Sequence, residues 1–158
     1  MPPLPKELTL SRKYAAPRSL LWKIWSDPHH IKQWWGPFGP ANTTCDIDFR
    51  VGGQFNIAMR TPEGDMLYAV GEYLEIKRPE RIVYLGDADT VTACGCGAPP
   101  KAKVTVTFDE FAKDKTNLTV HTLFDRPEDM IAANEEGYTS GWTKTLIELE
   151  ETLQLLEA

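Results

Sequence analysis

Glu72 is the carboxylate whose position in the sequence best suits a general acid or base. It lies in the strand-like stretch "MLYAVGEYLEI" and shares its alternation with Tyr68, Val70 and Leu74. If that apolar set faces inward, the strand carries Glu72 inward with it. Acid–base catalysis also needs a partner that holds the carboxylate in position. The sequence does not show such a partner, and an ordinary surface ion pair is the favoured interpretation of Glu72.

Cys94-Gly95-Cys96 is the feature that could hold a metal ion or a redox centre. Zinc ligands are usually separated by two to four residues rather than one, and a disulfide between such close neighbours would be strained. A plain loop is therefore the favoured interpretation. The histidines are scattered, at a predicted helix start and on a predicted strand: His29, His30 and His121. Since no metalloprotease, phosphate-loop or dinucleotide-binding spacing occurs, we predict no metal and no cofactor.

The composition is typical of a soluble globular protein. The chain has 158 residues, 42% of them apolar and 25% charged, which suits a single domain over residues 1–158 with its core at about 7–156. The formal net charge of −6 argues against nucleic acid as a partner, because such surfaces need clustered Lys and Arg. No signal-peptide core and no membrane-span-length apolar run occurs, so we expect a cytoplasmic protein.

Two short helices are predicted after the first strand. Pro17 suits the first position of one helix, because its missing N–H would be unpaired there anyway. Asp27 and Pro28 are the cap and first position of the next. Consecutive helical residues point about 100° apart. We therefore predict that Trp34 packs towards the first helix, while Trp35 and Phe38 cap a cavity between the helices and the sheet. The alternative is that both tryptophans are ordinary core residues.

Seven segments alternate between apolar and polar residues, as β-strands do. The first covers residues 7–14, and the clearest are "TTCDIDFRV", "QFNIAM", "KAKVTVTF" and "NLTVHTLF". Cys45 shares an apolar strand face with Ile47 and Phe49, which predicts that its thiol packs inside. Short turns between the segments indicate a meandering antiparallel sheet. One long helix, about residues 128–156, has an apolar stripe that should cover this sheet.

Four segments are specific in combination: "SLLWKIWSDPHHIKQWWGP", "DFRVGGQFNIAM", "GEYLEIKRPERIVY" and "NEEGYTSGWTKTLIELEETL". They resemble the START-like superfamily, and within it the subfamily named after the activator of the ninety-kilodalton heat-shock chaperone ATPase. This resemblance implies an α+β helix-grip fold, in which a curved antiparallel sheet wraps a long C-terminal helix. Residues 86–103 depart from the family pattern, since they form a longer, cysteine-bearing connection.

The resemblance also implies a cavity between the long helix and the sheet that holds a small apolar or amphipathic molecule. Gly137 and Gly141 agree with this, because a glycine inside a helix costs about 1 kcal/mol relative to Ala and leaves space beside it. Close approach of the sheet backbone is the alternative reason for these glycines. The predicted lining residues are Trp35, Phe38, Phe55, Ile57, Met59, Tyr68, Val70, Tyr84, Val106, Val120, Met130, Asn134, Tyr138, Gly141 and Trp142.

Three functions are consistent with the sequence. The leading hypothesis is a binding protein for a small apolar or amphipathic ligand. A cyclase- or hydrolase-type enzyme using the same cavity is the second, and an ionisable pair inside the cavity would favour it. The third is a protein-interaction module with a chaperone as partner, which an exposed apolar patch on the convex sheet face would favour. The sequence leaves open whether the protein is a monomer or a homodimer.

Overall fold

The computed structural model describes residues 6–35, 40–86, 101–135 and 138–157. A strand comes first, then two helices, six strands joined mostly by turns, and two helices. A single 3-10 turn, Pro40–Asn42, precedes the second strand. The elements are β1 Glu7–Tyr14, α1 Arg18–Ser26, α2 Pro28–Trp34, β2 Thr43–Ile47, β3 Gln54–Arg60, β4 Met66–Lys77, β5 Arg81–Gly86, β6 Lys103–Ala112, β7 Lys115–Leu123, α3 Pro127–Glu135 and α4 Tyr138–Glu157.

The seven strands form one antiparallel sheet in the order β1-β7-β6-β5-β4-β3-β2. From β2 to β7, strands that are consecutive in the chain are also adjacent in the sheet. The exception is β1, which pairs with β7 and forms the edge opposite to β2. The register shifts between Tyr73 and Glu75 on β4, and between Glu110 and Ala112 on β6. Irregularities of this kind bend a strand and increase its twist. The predicted α+β fold with a curved seven-stranded antiparallel sheet is therefore confirmed.

The strand alternation decides which face of the sheet meets the helices. On β3 the apolar residues Phe55, Ile57 and Met59 are buried, and on β6 and β7 the same holds for Val104, Val106, Phe108, Leu118 and Val120. The first helix packs on β6, the second on β2 and α4, and the last on β1. Cys45 is half-buried and packs against this core, as its alternation predicted.

Polar contacts hold the helices at the sheet. The hydroxyl of Tyr14 on β1 donates to the backbone oxygen of Leu146 on α4 at 2.7 Å. Arg12 forms an ion pair with Glu150 one turn further along the same helix. At the start of α2 the backbone N–H of His29 donates to the Asp27 side chain at 2.9 Å, which confirms the predicted cap.

The C-terminal helical region is described as α3 and α4, and residues 136–137 between them lie outside the described residues. The segment α3 has no buried residue, whereas α4 buries Tyr138, Trp142, Leu146, Leu149 and Leu153. In α3, Met130 and Ala133 are partly buried and pack against the core. Because packing of an apolar stripe supplies most of a helix's stability, α4 is held against the sheet more firmly than α3. None of the described helices is long and apolar enough to cross a membrane.

Candidate functional site

A small void lies in the core between α1, α2 and the inner face of β3, β4 and β5. Its volume is about 20 Å³, which is room for about one water molecule. Five of its eight lining residues are aromatic, and no described lining residue carries a charge. The lining consists of Trp25, Ile31, Trp35, Phe55, Ile57, Tyr73, Ile82 and Tyr84.

Tryptophan rings form one wall of this void. Trp25 of α1 stacks on Trp142 of α4, with ring centroids 6.0 Å apart and planes 14° apart. Trp35, at the end of α2, meets both rings edge-on, at 6.3 Å from Trp25 and 5.7 Å from Trp142. Trp34 turns the other way, and its indole N–H donates to the backbone oxygen of Ile24 in α1 at 3.0 Å. Trp34 therefore packs towards the first helix, as predicted, and Trp35 lies at the void.

The indole N–H of Trp25 is buried and has no hydrogen-bond partner among the described residues. Trp25 as a whole is only 4% exposed. A buried donor without a partner costs roughly 1–3 kcal/mol. Trp142 Nε1 also lacks a hydrogen bond, although it lies close to the Tyr138 hydroxyl. The void is thus bordered by a residue with an unused donor.

Three tyrosines near the void are held as neutral phenols. Burial raises the pKa of Tyr84 well above its ordinary value, with smaller contributions from Tyr138 and Tyr73. Burial likewise raises the pKa of Tyr73, and it raises that of Tyr138 to about 12. The Tyr138 hydroxyl shares a hydrogen bond with Thr122 Oγ1 at 2.5 Å. At neutral pH this interior therefore offers hydroxyl and indole N–H groups but no charge.

The predicted orientation of β4 is wrong. Tyr68, Val70 and Glu72 lie on the outer face of the sheet, where Tyr68 is 41% exposed and Glu72 is exposed to solvent. Glu72 borders a surface depression that is also lined by residues of the adjacent strands. This depression shares no lining residue with the interior void. Glu72 therefore cannot act on a molecule in the void, and Tyr68 and Val70 do not line it.

Gly71 explains why β4 faces this way. A Cβ at position 71 would lie 2.7 Å from Cζ of Phe55 and 2.5 Å from the backbone oxygen of Leu85. The inward side of β4 therefore presents Ala69 and Gly71, and the Phe55 ring lies across the space that they leave. Gly71 in a strand indicates either a bulge or a close approach, and the structure shows the close approach, on the side of the strand that faces the core.

The other predicted lining residues fall into three groups. Met59, Val106, Val120, Tyr138 and Trp142 are buried in the core around the void without lining it. Met130 and Gly141 are half-buried, and Met130 packs against the core from α3. Asn134 is exposed, and its side chain accepts a hydrogen bond from Thr139 at 2.7 Å. Its predicted inward position is therefore wrong. Phe38 and Gly137 lie outside the described residues.

Four lining residues were missed, although their sequence signals were present. Trp25 and Ile31 belong to the buried apolar faces of α1 and α2. Tyr73 and Ile82 follow from the true orientation of β4, because Tyr73 shares its face with Gly71 and Ile82 pairs opposite Ile76 in the next strand. The glycine opposite Phe55 was the usable signal for that orientation.

The ionisable residues elsewhere do not assemble into a second site. Within the described parts of the chain, no three of His, Cys, Asp and Glu come together as metal ligands. Burial raises the pKa of the Cys45 thiol to about 12, assisted by the nearby carboxylates of Asp46 and Asp27, so this thiol stays protonated and unreactive at neutral pH. Cys94 and Cys96 lie outside the described residues.

Comparison with known proteins places this arrangement in a family. A sequence profile described as "Activator of Hsp90 ATPase homolog 1-like protein" matches residues 15–154. No curated protein sequence matches. Protein NE0264 from Nitrosomonas europaea has a similar structure, with a TM-score of 0.80 at 26% identity over 96% of each chain.

More distant structures share the same fold. Protein Ms6760 from Mycobacterium smegmatis has a TM-score of 0.77 at 22% identity, over 96% of this chain and 92% of that chain. CalU16 from Micromonospora echinospora has a TM-score of 0.64 at 20% identity, over 92% and 74% of the two chains. The fold is the START-like fold. The chain belongs to the Activator of Hsp90 ATPase homolog 1-like family.

Proposed function

We propose that this protein binds a small apolar or amphipathic molecule in its interior, at the aromatic void between the helices and the sheet. The observation that carries the proposal is the combination of a void and an unused donor on one of its lining residues, Trp25. Close packing and paired polar groups are the rule in protein interiors, and a void next to a residue with an unpaired donor departs from both. The family assignment supports the same conclusion at a coarser level.

Binding requires the lining side chains to move apart. Even a single aromatic ring needs far more space than the 20 Å³ present here, and comparable apolar cavities that accept benzene are about 150 Å³. A ligand would therefore have to shift the population towards a more open core.

The lining gives less support to an enzyme. Among the described lining residues there is no carboxylate, histidine, lysine or cysteine that could transfer a proton or form a covalent bond. Glu72, the candidate from the sequence, is on the outer face. Binding of the ligand is therefore the activity that the interior can perform with the groups it has.

Ethylbenzene is a suitable first probe. Its binding is detected as broadening of its resonances in one-dimensional ¹H NMR spectra as protein is added. Native mass spectrometry of the freshly purified protein should also show a bound small molecule. Ile57→Phe places a ring in the void and should abolish the broadening. Met59→Phe is the matched control, because Met59 is buried two residues along the same strand face but does not line the void. Equal binding by both folded variants would contradict an interior site.

The outer face of the sheet favours a second function, binding to a partner protein. Met66, Tyr68 and Leu74 on β4 are each at least 38% exposed, and Leu85 on β5 is 37% exposed. Grouped exposed apolar residues often mark interaction sites, and the family name points to the Hsp90 chaperone as the partner to test. Tyr68→Ser should abolish any stimulation of Hsp90 ATP hydrolysis. Phe111→Ser, at an exposed aromatic residue on β6, should leave that stimulation unchanged.

A further inference from the structure

The ligand class follows from the chemistry of the residues that line the void. Resting on the proposed interior site, we propose that the ligand is a neutral aromatic molecule carrying one hydrogen-bond acceptor, such as a ketone oxygen, which takes the indole N–H of Trp25. The inference rests on three features of the interior: the shape of the lining, its lack of charge and the unused donor.

The lining selects flat rings. Phe55 meets Tyr84 edge-on at 5.0 Å, with the planes 81° apart, and Trp35 meets Trp25 at 78°. Edge-to-face contacts are the preferred arrangement of aromatic rings, because the positive edge of one ring meets the negative face of another. A ligand ring that separates these pairs replaces each contact with an equivalent one. A flexible aliphatic chain would lose those contacts and gain none of the same kind.

The lining also selects against charge. None of its eight residues is ionised, and the phenols of Tyr73 and Tyr84 hold their protons because burial raises the pKa of both. A carboxylate brought here would lose its hydration without meeting a cation, and such burial is strongly unfavourable. The ligand is therefore neutral when bound, which separates it from fatty acids and other anionic amphiphiles.

The donor selects for an acceptor. The Trp25 indole N–H is buried without a partner, and buried polar groups in native proteins are nearly always paired. A ketone oxygen would complete that hydrogen bond, whereas a hydrocarbon of the same shape would leave the donor as it is. Trp22 provides the comparison within this chain. It is also buried, at 3% exposed, and its N–H also lacks a partner, but it does not line the void.

The experiment measures the dissociation constants of acetophenone, ethylbenzene and benzoate by ¹H NMR line broadening. Acetophenone and ethylbenzene have similar shapes and differ in the carbonyl oxygen. The quantity of interest is the ratio of their affinities, compared between the wild type, Trp25→Phe and Trp22→Phe. Because the ratio is compared between proteins, the different hydration of the two probes cancels.

We expect Trp25→Phe to lower the acetophenone-to-ethylbenzene affinity ratio by about 2- to 12-fold, the range of one net hydrogen bond. Trp22→Phe should leave the ratio unchanged, and benzoate should bind at least about 10-fold more weakly than acetophenone at pH 7. An unchanged ratio in Trp25→Phe overturns the assignment, and it would be the result if one buried water already satisfied the N–H. Benzoate binding as tightly as acetophenone overturns the neutral class.

The same titrations distinguish this inference from the proposed function. If ethylbenzene binds and Ile57→Phe abolishes that binding, the interior site stands whether or not Trp25 prefers an acceptor. If none of the three probes binds the wild type, the interior site itself fails, and the inference about the ligand class fails with it.

Discussion

Gly71→Ala tests the packing that orients β4 and shapes the floor of the void. The added Cβ would lie 2.5 Å from the backbone oxygen of Leu85 and 2.7 Å from Cζ of Phe55. The first of these neighbours is backbone of the adjacent strand, so relief requires β4 and β5 to separate locally. Overpacking of this kind costs up to about 3 kcal/mol. Replacing glycine by alanine in a strand regains about 0.5–1 kcal/mol, which leaves a net loss of about 2 kcal/mol.

Urea denaturation followed by tryptophan fluorescence measures this loss as a lower midpoint with an unchanged slope. A loss of this size also lowers the melting temperature by roughly 4–8 °C in a chain of this length. Phe55→Leu removes the atom nearest to the new methyl group on the ring side. Gly71→Ala should therefore cost about 0.5–1 kcal/mol less in the Phe55→Leu background.

Two results would refute this reasoning. If Gly71→Ala leaves the protein equally stable or more stable, β4 does not lie against Phe55 and β5 as described. If the substitution costs the same in both backgrounds, the ring of Phe55 makes no contribution, and the clash is with the Leu85 carbonyl alone.

Three further predictions concern buried polar groups and the candidate sites from the sequence. Tyr138→Phe should lower the free energy of unfolding by about 1–3 kcal/mol in urea titrations, because it leaves Thr122 Oγ1 buried without its partner; no change would mean that water replaces the hydroxyl. Stability should decline as the pH rises from about 9 to 12, because burial raises the pKa of Cys45 and Tyr138 to about 12 from 9.0 and 10.0, so the unfolded chain loses these protons first. Urea titrations at pH 8, 10 and 11 measure the decline, which should be shallower in Cys45→Ala, and equal slopes would count against a buried thiol. Glu72→Gln should change neither stability nor ethylbenzene binding, since Glu72 is exposed on the outer face; weaker binding would return it to the site.

The strands with a single apolar face could be predicted residue by residue. On β3, β6 and β7 the apolar residues lie mainly at alternate positions and therefore on one face of the strand. Only burial of that face removes these residues from water. The α2 cap at Asp27 and the division of roles between Trp34 and Trp35 followed equally directly, because capping and the angle between consecutive helical residues are local properties.

The inner face of β4 could not be predicted in this way, because apolar residues occur on both faces of this strand. Met66, Tyr68 and Val70 compete with Leu67, Ala69 and Tyr73 for the inner face, and hydrophobicity alone favours the first set. The tertiary packing decides for the second, since only Ala69 and Gly71 leave space for the Phe55 ring. The largest errors in the predicted site, at Tyr68, Val70 and Glu72, all follow from this one strand.

By itself the sequence determined the family, the seven-stranded sheet and most of the core, because these depend on periodicity and on local turn and cap chemistry. Only the tertiary structure decided how much space the core leaves and which buried donors in it lack a partner. The void of about 20 Å³ and the unpaired N–H of Trp25 both result from the way in which the surrounding aromatic rings pack together. Such features depend on atomic positions to within a fraction of an ångström, which no pattern of residue types contains.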